Sequence, residues 1–305
     1  MASLLRGNFS ERLHNAFFND SEFNIGIVNE PISRFLEGDS ELNINWLPRS
    51  EGSKFLADPF GIERDGRLHI VCEEFDRETS KGRIVSIEIT PGKQPPKVRV
   101  AIELPTHMSY PFLLEYHGSI YCIPETRQAR EVSLYRADDF PYSWTKVSTL
   151  LANIGALDST VFKYNGYWWL ACTQEQNRLT KLFIWYSSDI FGEWKPHPRN
   201  PVKNDIRSSR PGGTPFLYEG RLYRPAQDCS ESYGKRITIN RVLRLTPTEF
   251  KEETASVVEP EENWPYPHGM HTISTVGNMT LLDAKRVIHG GLSFRRIYRN
   301  LILKR

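Results

Sequence analysis

The feature that most constrains this chain is a unit that it repeats five times. Each copy reads as a strand, a turn with a glycine and a second strand rich in aromatic residues. The copies are DPFGIERDGRLHIVCEE from Asp58, YPFLLEYHGSIYCIPET from Tyr110, DSTVFKYNGYWWLACTQ from Asp158, GTPFLYEGRLYRPAQD from Gly213 and GMHTISTVGNMTLLDAK from Gly269. Their turn glycines, Gly66, Gly118, Gly166, Gly220 and Gly277, are spaced by 52, 48, 54 and 57 residues. Asp65-Gly66 and Asn165-Gly166 are strong hairpin signals, because both central residues of a type I′ turn need positive φ. Stretches ending at Trp144, Trp194 and Phe250 read as further strands after the second, third and fourth copies. A period near about 50 residues, with about four short strands per unit, is the spacing of propeller blades. The prediction is an all-β fold, a five-bladed β-propeller that takes residues 1–305 as a single domain. A β-sandwich would not repeat its hairpins so evenly.

Two flanking segments bear on closure. Residues 23–31, FNIGIVNEP, have no hairpin partner and are expected to add an outer strand to the fifth blade, which removes an exposed edge. In the tail, Phe294, Ile297, Tyr298, Leu301 and Ile302 fall at helical spacing and predict a short C-terminal helix on the rim.

Charge and cysteine usage narrow the function classes. With 39 basic and 37 acidic residues, the net charge of +2 gives no field to gather phosphates, which argues against nucleic acid as a partner. No apolar run reaches eighteen residues, so no membrane span is expected. The opening MASLLRGNFSERLHNAFFND has charges where a secretory signal needs its apolar stretch. Cys72, Cys122 and Cys172 lie 50 residues apart and so fall at near-equivalent places in different blades, too distant to bridge. Buried thiols in a reducing, cytoplasmic setting are the expectation.

In a propeller the innermost strands line a central channel, so residues at matching repeat positions converge at one mouth. Asp58, Tyr110 and Asp158 each stand eight residues before a turn glycine. The second strands end in Glu73 and Glu74, Glu125, Gln174, Gln227 with Asp228, and Asp283, while Arg210 and His271 flank the last two copies. Carboxylates are costly to gather unless they share protons or meet a cation, and such clusters can keep one acid neutral beside an ionised base. Alternative roles are structural. Asp58 could cap a turn, and Asp228 with Arg210 could be a buried ion pair that holds blade four. His268 and His271 lack a third ligand of metal spacing, and no glycine turn opens a helix to cradle phosphate, so no cofactor is expected.

These residues carry a resemblance. Ala-Asp-Pro-Phe at Asp58 and Leu-Asp at Asp158, leading into Tyr-Asn-Gly-Tyr-Trp-Trp-Leu, resemble the five-bladed propellers of glycoside hydrolase family 43 and its relatives. Tyr110-Pro-Phe, Ile123-Pro-Glu-Thr, Trp194-Lys-Pro-His, Arg210-Pro-Gly-Gly, Arg224-Pro-Ala-Gln-Asp-Cys, Tyr233-Gly and Gly269-Met-His-Thr bring the chain closer to the N-terminal propeller of plant glucosamine inositolphosphorylceramide transferases and its bacterial homologues. The hydrolase resemblance implies that Asp58 is a general base, that Asp158 orients and tunes the acid, and that His271 has a counterpart in the last blade. The hydrolases open their fourth blade with a general-acid Glu; here that place reads Arg210-Pro-Gly-Gly-Thr. Proton donation would then fall to Glu125 or Asp228.

The expected function is a glycoside-processing enzyme, hydrolase-like or a transferase, acting on a cell-surface glycan or glycolipid sugar. Asp58, Asp158, Glu125 and Asp228 would be its catalytic carboxylates. Arg210, His271, Gln227, Tyr233 and Asp283 would hold substrate, with Tyr110 and Trp168 stacked on the sugar. The alternative is a carbohydrate-binding propeller that assists a partner glycosyltransferase, and a third reading is an interaction scaffold without a polar funnel.

Overall fold

In the computed structural model, which describes residues 21–38, 42–89 and 97–288, every repeat turns back at its glycine. Asp65-Gly66, His117-Gly118, Asn165-Gly166 and Glu219-Gly220 all have positive φ at both positions, from +48° to +82°. The fifth turn differs. Val276 is β-branched and stays in its strand, so Gly277 (φ +55°) becomes the first of two loop residues before Met279, the pattern of a II′ turn.

The hairpins grow into five antiparallel sheets. Blade one runs through Lys54–Arg64, Arg67–Asp76, Lys81–Ile89 and Lys97–Ile102. Blade two uses Ser109–Tyr116, Ser119–Glu125, Glu131–Asp139 and Ser143–Ala152. In blade three, Ala156–Tyr164, Tyr167–Gln174 and Lys181–Ser187 are edged by two short strands, Lys195–Pro196 and Lys203–Asn204. Blade four is Phe216–Tyr218, Arg221–Asp228, Arg236–Leu245 and Phe250–Val258. Blade five takes both ends of the described chain: Ile273–Val276 and Met279–Val287, then Ser21–Val28 and Ile44–Trp46. Ser21–Val28 is thus the third strand and not the outermost, because Ile44–Trp46 returns to pair outside it. The expected C-terminal helix, Phe294 to Ile302, lies outside the described residues.

The first strands of blades five, one, two and three touch in succession, which sets them at the centre. Between the blades lie fully buried Phe60, Ile70, Ile123, Leu134, Trp169 and Leu170, each contributing about 1.5–3 kcal/mol by leaving water. Cys72, Cys122 and Cys172 share this packing, and with Cys229 all four cysteines are free and buried.

The first three blades share a bulge in the first strand. Pairing skips from Ala57 to Phe60, from Ser109 to Phe112 and from Leu157 to Thr160. Within each gap one residue enters the left-handed region: Asp58 (φ +52°), Tyr110 (+45°) and Asp158 (+52°). Non-glycine residues avoid that region, and bulges re-aim side chains. In blade four the same stretch is Gly212-Gly213, with Gly213 at φ +132°. It leaves its own sheet early and forms a parallel bridge to Ile273 of blade five.

Candidate functional site

The bulges open onto a cavity of about 330 Å³ at one end of the channel. Asp58, Glu73, Glu125, Asp158, Arg210 and His271 line it, a mixed polar set at the small end of ligand-pocket sizes.

Blade five fixes Asp58. Its Oδ1 accepts the Thr272 hydroxyl at 2.7 Å and its Oδ2 accepts the Tyr110 N–H at 3.1 Å. Its own N–H donates to Asp283 Oδ2 at 2.9 Å, while the His271 and Thr272 N–H groups donate to Asp283 Oδ1 at 2.9 and 3.0 Å. His271 stands between the two acids, Nδ1 2.6 Å from Asp283 and Nε2 3.7 Å from Asp58. Burial disfavours a charged imidazole, but Asp283 and Asp58 outweigh it and hold His271 above its usual range. Burial pushes the Asp58 carboxyl up to about 6, against the pull of His271. The trio brings potential metal ligands within 4.8 Å, yet Asp283 is already the acceptor for three backbone N–H groups and Asp58 for two donors. Its residues are arranged to hold one another more than an ion.

Asp158 forms the opposite wall. Arg210 grips it with two bonds, Nε to Oδ2 at 2.5 Å and Nη2 to Oδ1 at 3.1 Å, and Gln227 Nε2 adds a third at 2.6 Å. The guanidinium lies 5.0 Å over the Tyr233 ring, whose edge meets His271. Glu125 Oε2 accepts the Asp158 N–H at 3.3 Å. Burial, then the neighbouring Asp158 carboxylate, push Glu125 up to about 8 against the pull of Arg210. Burial thus raises both carboxyls, Glu125 further than Asp58.

Of the residues singled out from sequence, Asp58, Glu73, Glu125, Asp158, Arg210, Tyr233 and His271 meet in the cavity. Tyr110, Gln227 and Asp283 lie directly beneath it and are fully buried. The Tyr110 hydroxyl reaches Thr160 at 2.9 Å and accepts the Gly213 N–H at 2.8 Å, so its ring is a strut between blades and does not face a sugar. Two residues are not brought in. Trp168 belongs to the core, packed edge-on against Tyr116. Asp228 pairs with Arg236 at 3.3 Å and accepts the Ser230 N–H, shaping the turn that carries Tyr233; Arg210 is not its partner. Sequence reading missed His107, Arg127 and Arg178, which also line the cavity. Arg127 and Arg178 lie in the short turns that follow the second strands of blades two and three, but at different repeat positions, so the repeat carried no signal for them.

Residues 47–265 match the family model of the N-terminal region of glucosamine inositolphosphorylceramide transferase 1. The Arabidopsis thaliana protein of that name is 38% identical over 207 residues, 66% of this chain and 27% of its own length. The Oryza sativa subsp. japonica protein is 36% identical over 209 residues, covering 66% and 28%. The chain thus spans less than a third of the length of these relatives. Among solved structures, a family 117 glycoside hydrolase from Zobellia galactanivorans aligns over 92% of this chain and 98% of its own, with TM-score 0.54 and 16% identity. A putative glycoside hydrolase from Bacteroides ovatus aligns over 77% and 87%, with TM-score 0.55 and 11% identity. Identities that low speak for the propeller fold alone, whereas the sequence match speaks for descent: the chain belongs to the family of the N-terminal domain of glucosamine inositolphosphorylceramide transferase 1.

Proposed function

We propose that the cavity processes a glycosidic bond of a glycan or glycolipid sugar, with Glu125 as proton donor and Asp58 as base. One observation carries this: two carboxyls line a single buried cavity in different surroundings, Asp58 beside His271 and Glu125 beside the Asp158–Arg210 pair, and burial raises Glu125, to about 8, further than Asp58, to about 6. Glu125 would give its proton to the glycosidic oxygen as the bond from that oxygen to the anomeric carbon breaks. Asp58 would take a proton from the water whose oxygen bonds to that carbon; an acceptor hydroxyl in place of water would make the reaction a transfer. Asp158, clamped by Arg210 and Gln227, holds the wall and keeps Glu125 protonated.

The test is product analysis of the purified protein on glycans containing pentoses, hexosamines and uronic acids. Asp58→Asn and Glu125→Gln are each expected to lower turnover by about 10²–10⁴-fold, the usual worth of a positioned acid or base. Asp228→Asn should stay within a few-fold of wild type. Turnover should fall below pH about 6 as Asp58 gains its proton, and above about 8 as Glu125 loses its own. Undiminished activity in Asp58→Asn would remove that residue from the mechanism.

A second reading rests on the Asp158–Arg210 pair. An arginine stands where the hydrolase resemblance implies an acid, which suits a domain that binds a glycan and presents it to a partner transferase. Saturable binding without product at any pH would favour it. The four buried thiols suit a reducing, cytoplasmic setting, which subcellular fractionation would check.

A further inference from the structure

The cavity has a polar corner that the proposed chemistry does not use. Glu73 lies in the second strand of blade one opposite Ala57, the residue before the bulge, just as Glu125 of blade two lies opposite Ser109. It is 6% exposed, it lines the cavity, and its Oε1 has no hydrogen-bond partner among the described residues. Buried polar atoms are nearly always paired, so one left without a partner at a cavity wall points to a ligand atom.

His107 faces it. The imidazole Nδ1 accepts the Gly82 N–H at 2.8 Å, which puts the ring proton on Nε2, 3.8 Å from Glu73 Oε1. The His107 N–H donates to Gln128 Oε1 at 3.1 Å and anchors the loop. Gly82 serves both residues: it donates to His107, and any Cβ there would collide with Glu73 Oε1 and the Met108 carbonyl. Burial drives the His107 imidazole down to about 4, and burial beside Asp58 and Glu125 drives the Glu73 carboxyl well above its usual range, so the corner disfavours charge on both groups.

We propose that Glu73 and His107 form a second subsite that grips adjacent neutral hydroxyls of the bound sugar. One hydroxyl accepts from His107 Nε2–H and donates to Glu73 Oε1; its neighbour bonds the other carboxyl oxygen, Oε2. The two corners of the cavity are joined by an aromatic row. Ring centroids run from His271 to Phe23 at 4.4 Å, on to Phe55 at 5.7 Å, to Phe75 at 5.1 Å and to His107 at 6.0 Å. All five rings line the cavity, so the C–H face of a single glycan lies along the row with its reacting bond at Asp58 and a diol at Glu73.

This subsite deepens the glycan reading and rests on it, but it is tested by binding and not by turnover. Glycerol and D-glucose, with 1-propanol as the mono-ol control, are titrated against the full chain while the His107 imidazole resonances are followed by NMR. Saturable shifts are expected with both polyols and none with 1-propanol. Glu73→Gln, which keeps a donor and an acceptor, should bind within a few-fold of wild type. Glu73→Leu should weaken binding by about tenfold or more while its thermal midpoint holds or rises, because an unpaired buried oxygen has been removed. A Glu73 with a purely structural role would instead lower the midpoint. Equal response to 1-propanol, no saturable response to either polyol, or unchanged polyol binding in Glu73→Leu would overturn the proposal. Loss of polyol binding in Glu73→Gln would overturn it too, since that outcome fits a carboxylate waiting for a cation such as an ammonium. Loss of turnover in Asp58→Asn with polyol binding intact would separate the two sites.

Discussion

At the scale of single residues, the site is a set of carboxyls whose neighbours decide which keeps its proton. Glu125 makes this measurable as stability. Its folded proton affinity, about 8, lies above the ordinary 4.5 of an unfolded glutamate. Between those values the folded chain binds a proton that the unfolded chain has released, so its contribution is fully present below about pH 4.5 and is lost as pH rises to about 8. Glu125→Gln carries no such proton. It should be the more stable protein at pH 9, by roughly 2–5 kcal/mol, with the gap closing towards pH 5. Urea unfolding at the two pH values checks this, and a gap that widens on acidification would sink the assignment of Glu125 as the protonated acid. Asp58 and Asp158 were legible because the repeat placed them at one position. Glu73, named beside Glu125 among the converging strand ends, shares its register but is given no role by the sequence. What sequence could not supply was the difference between Gln227 and its neighbour Asp228, since strand alternation sends one side chain under Asp158 and the other to Arg236.

At the scale of elements, the shared bulge decides what the first strands present. Hairpins were readable from turn chemistry; the bulges were not, although prolines hinted at two of them. Pro59 and Pro111 fall inside the gaps in pairing, where a residue without an N–H costs the ladder nothing. The string from Arg224 to Cys229, one of the motifs that carry the resemblance, proves to be largely scaffold. Arg224 binds Glu252 at 2.6 and 2.9 Å and the Ser208 carbonyl, and Lys203 reaches the same Glu252 at 2.7 Å, which locks blade four behind Gln227. Blade four lacks a long first strand because Gly213 crosses to blade five, where a Cβ would drive into the Ile273 carbonyl. Gly213→Ala is therefore expected to cost about 3 kcal/mol or more, through both the collision and the positive φ. Thermal unfolding measures it; a midpoint within a degree of wild type would mean that the bridge between these blades yields freely.

At the scale of the molecule, the ring is closed by residues that also build the site. The sequence placed an N-terminal strand in blade five but could not rank it, because the pairing of Ile44–Trp46 outside it depends on contacts across the sheet. Ser21–Val28 pairs along Met279–Val287, setting Ile25 opposite Asp283, the acid that holds Asp58 and His271. Phe23, two residues earlier, stacks on His271 at 4.4 Å, packs on Phe55 and is 3% exposed. Closure and site geometry therefore share one side chain. Phe23→Ala should lose about 3–5 kcal/mol, as truncation of a buried aromatic does, because the space it fills is bounded by strands from opposite ends of the chain. It should also weaken saturation binding of glycans, since His271 loses the ring that aligns it between Asp58 and Asp283. By mass action, the same glycan concentration should then raise the variant's midpoint less than that of wild type. If stability falls while glycan affinity is unchanged, the aromatic row is packing alone, and the site is held by the Asp283 hydrogen bonds without help from the strand that closes the ring.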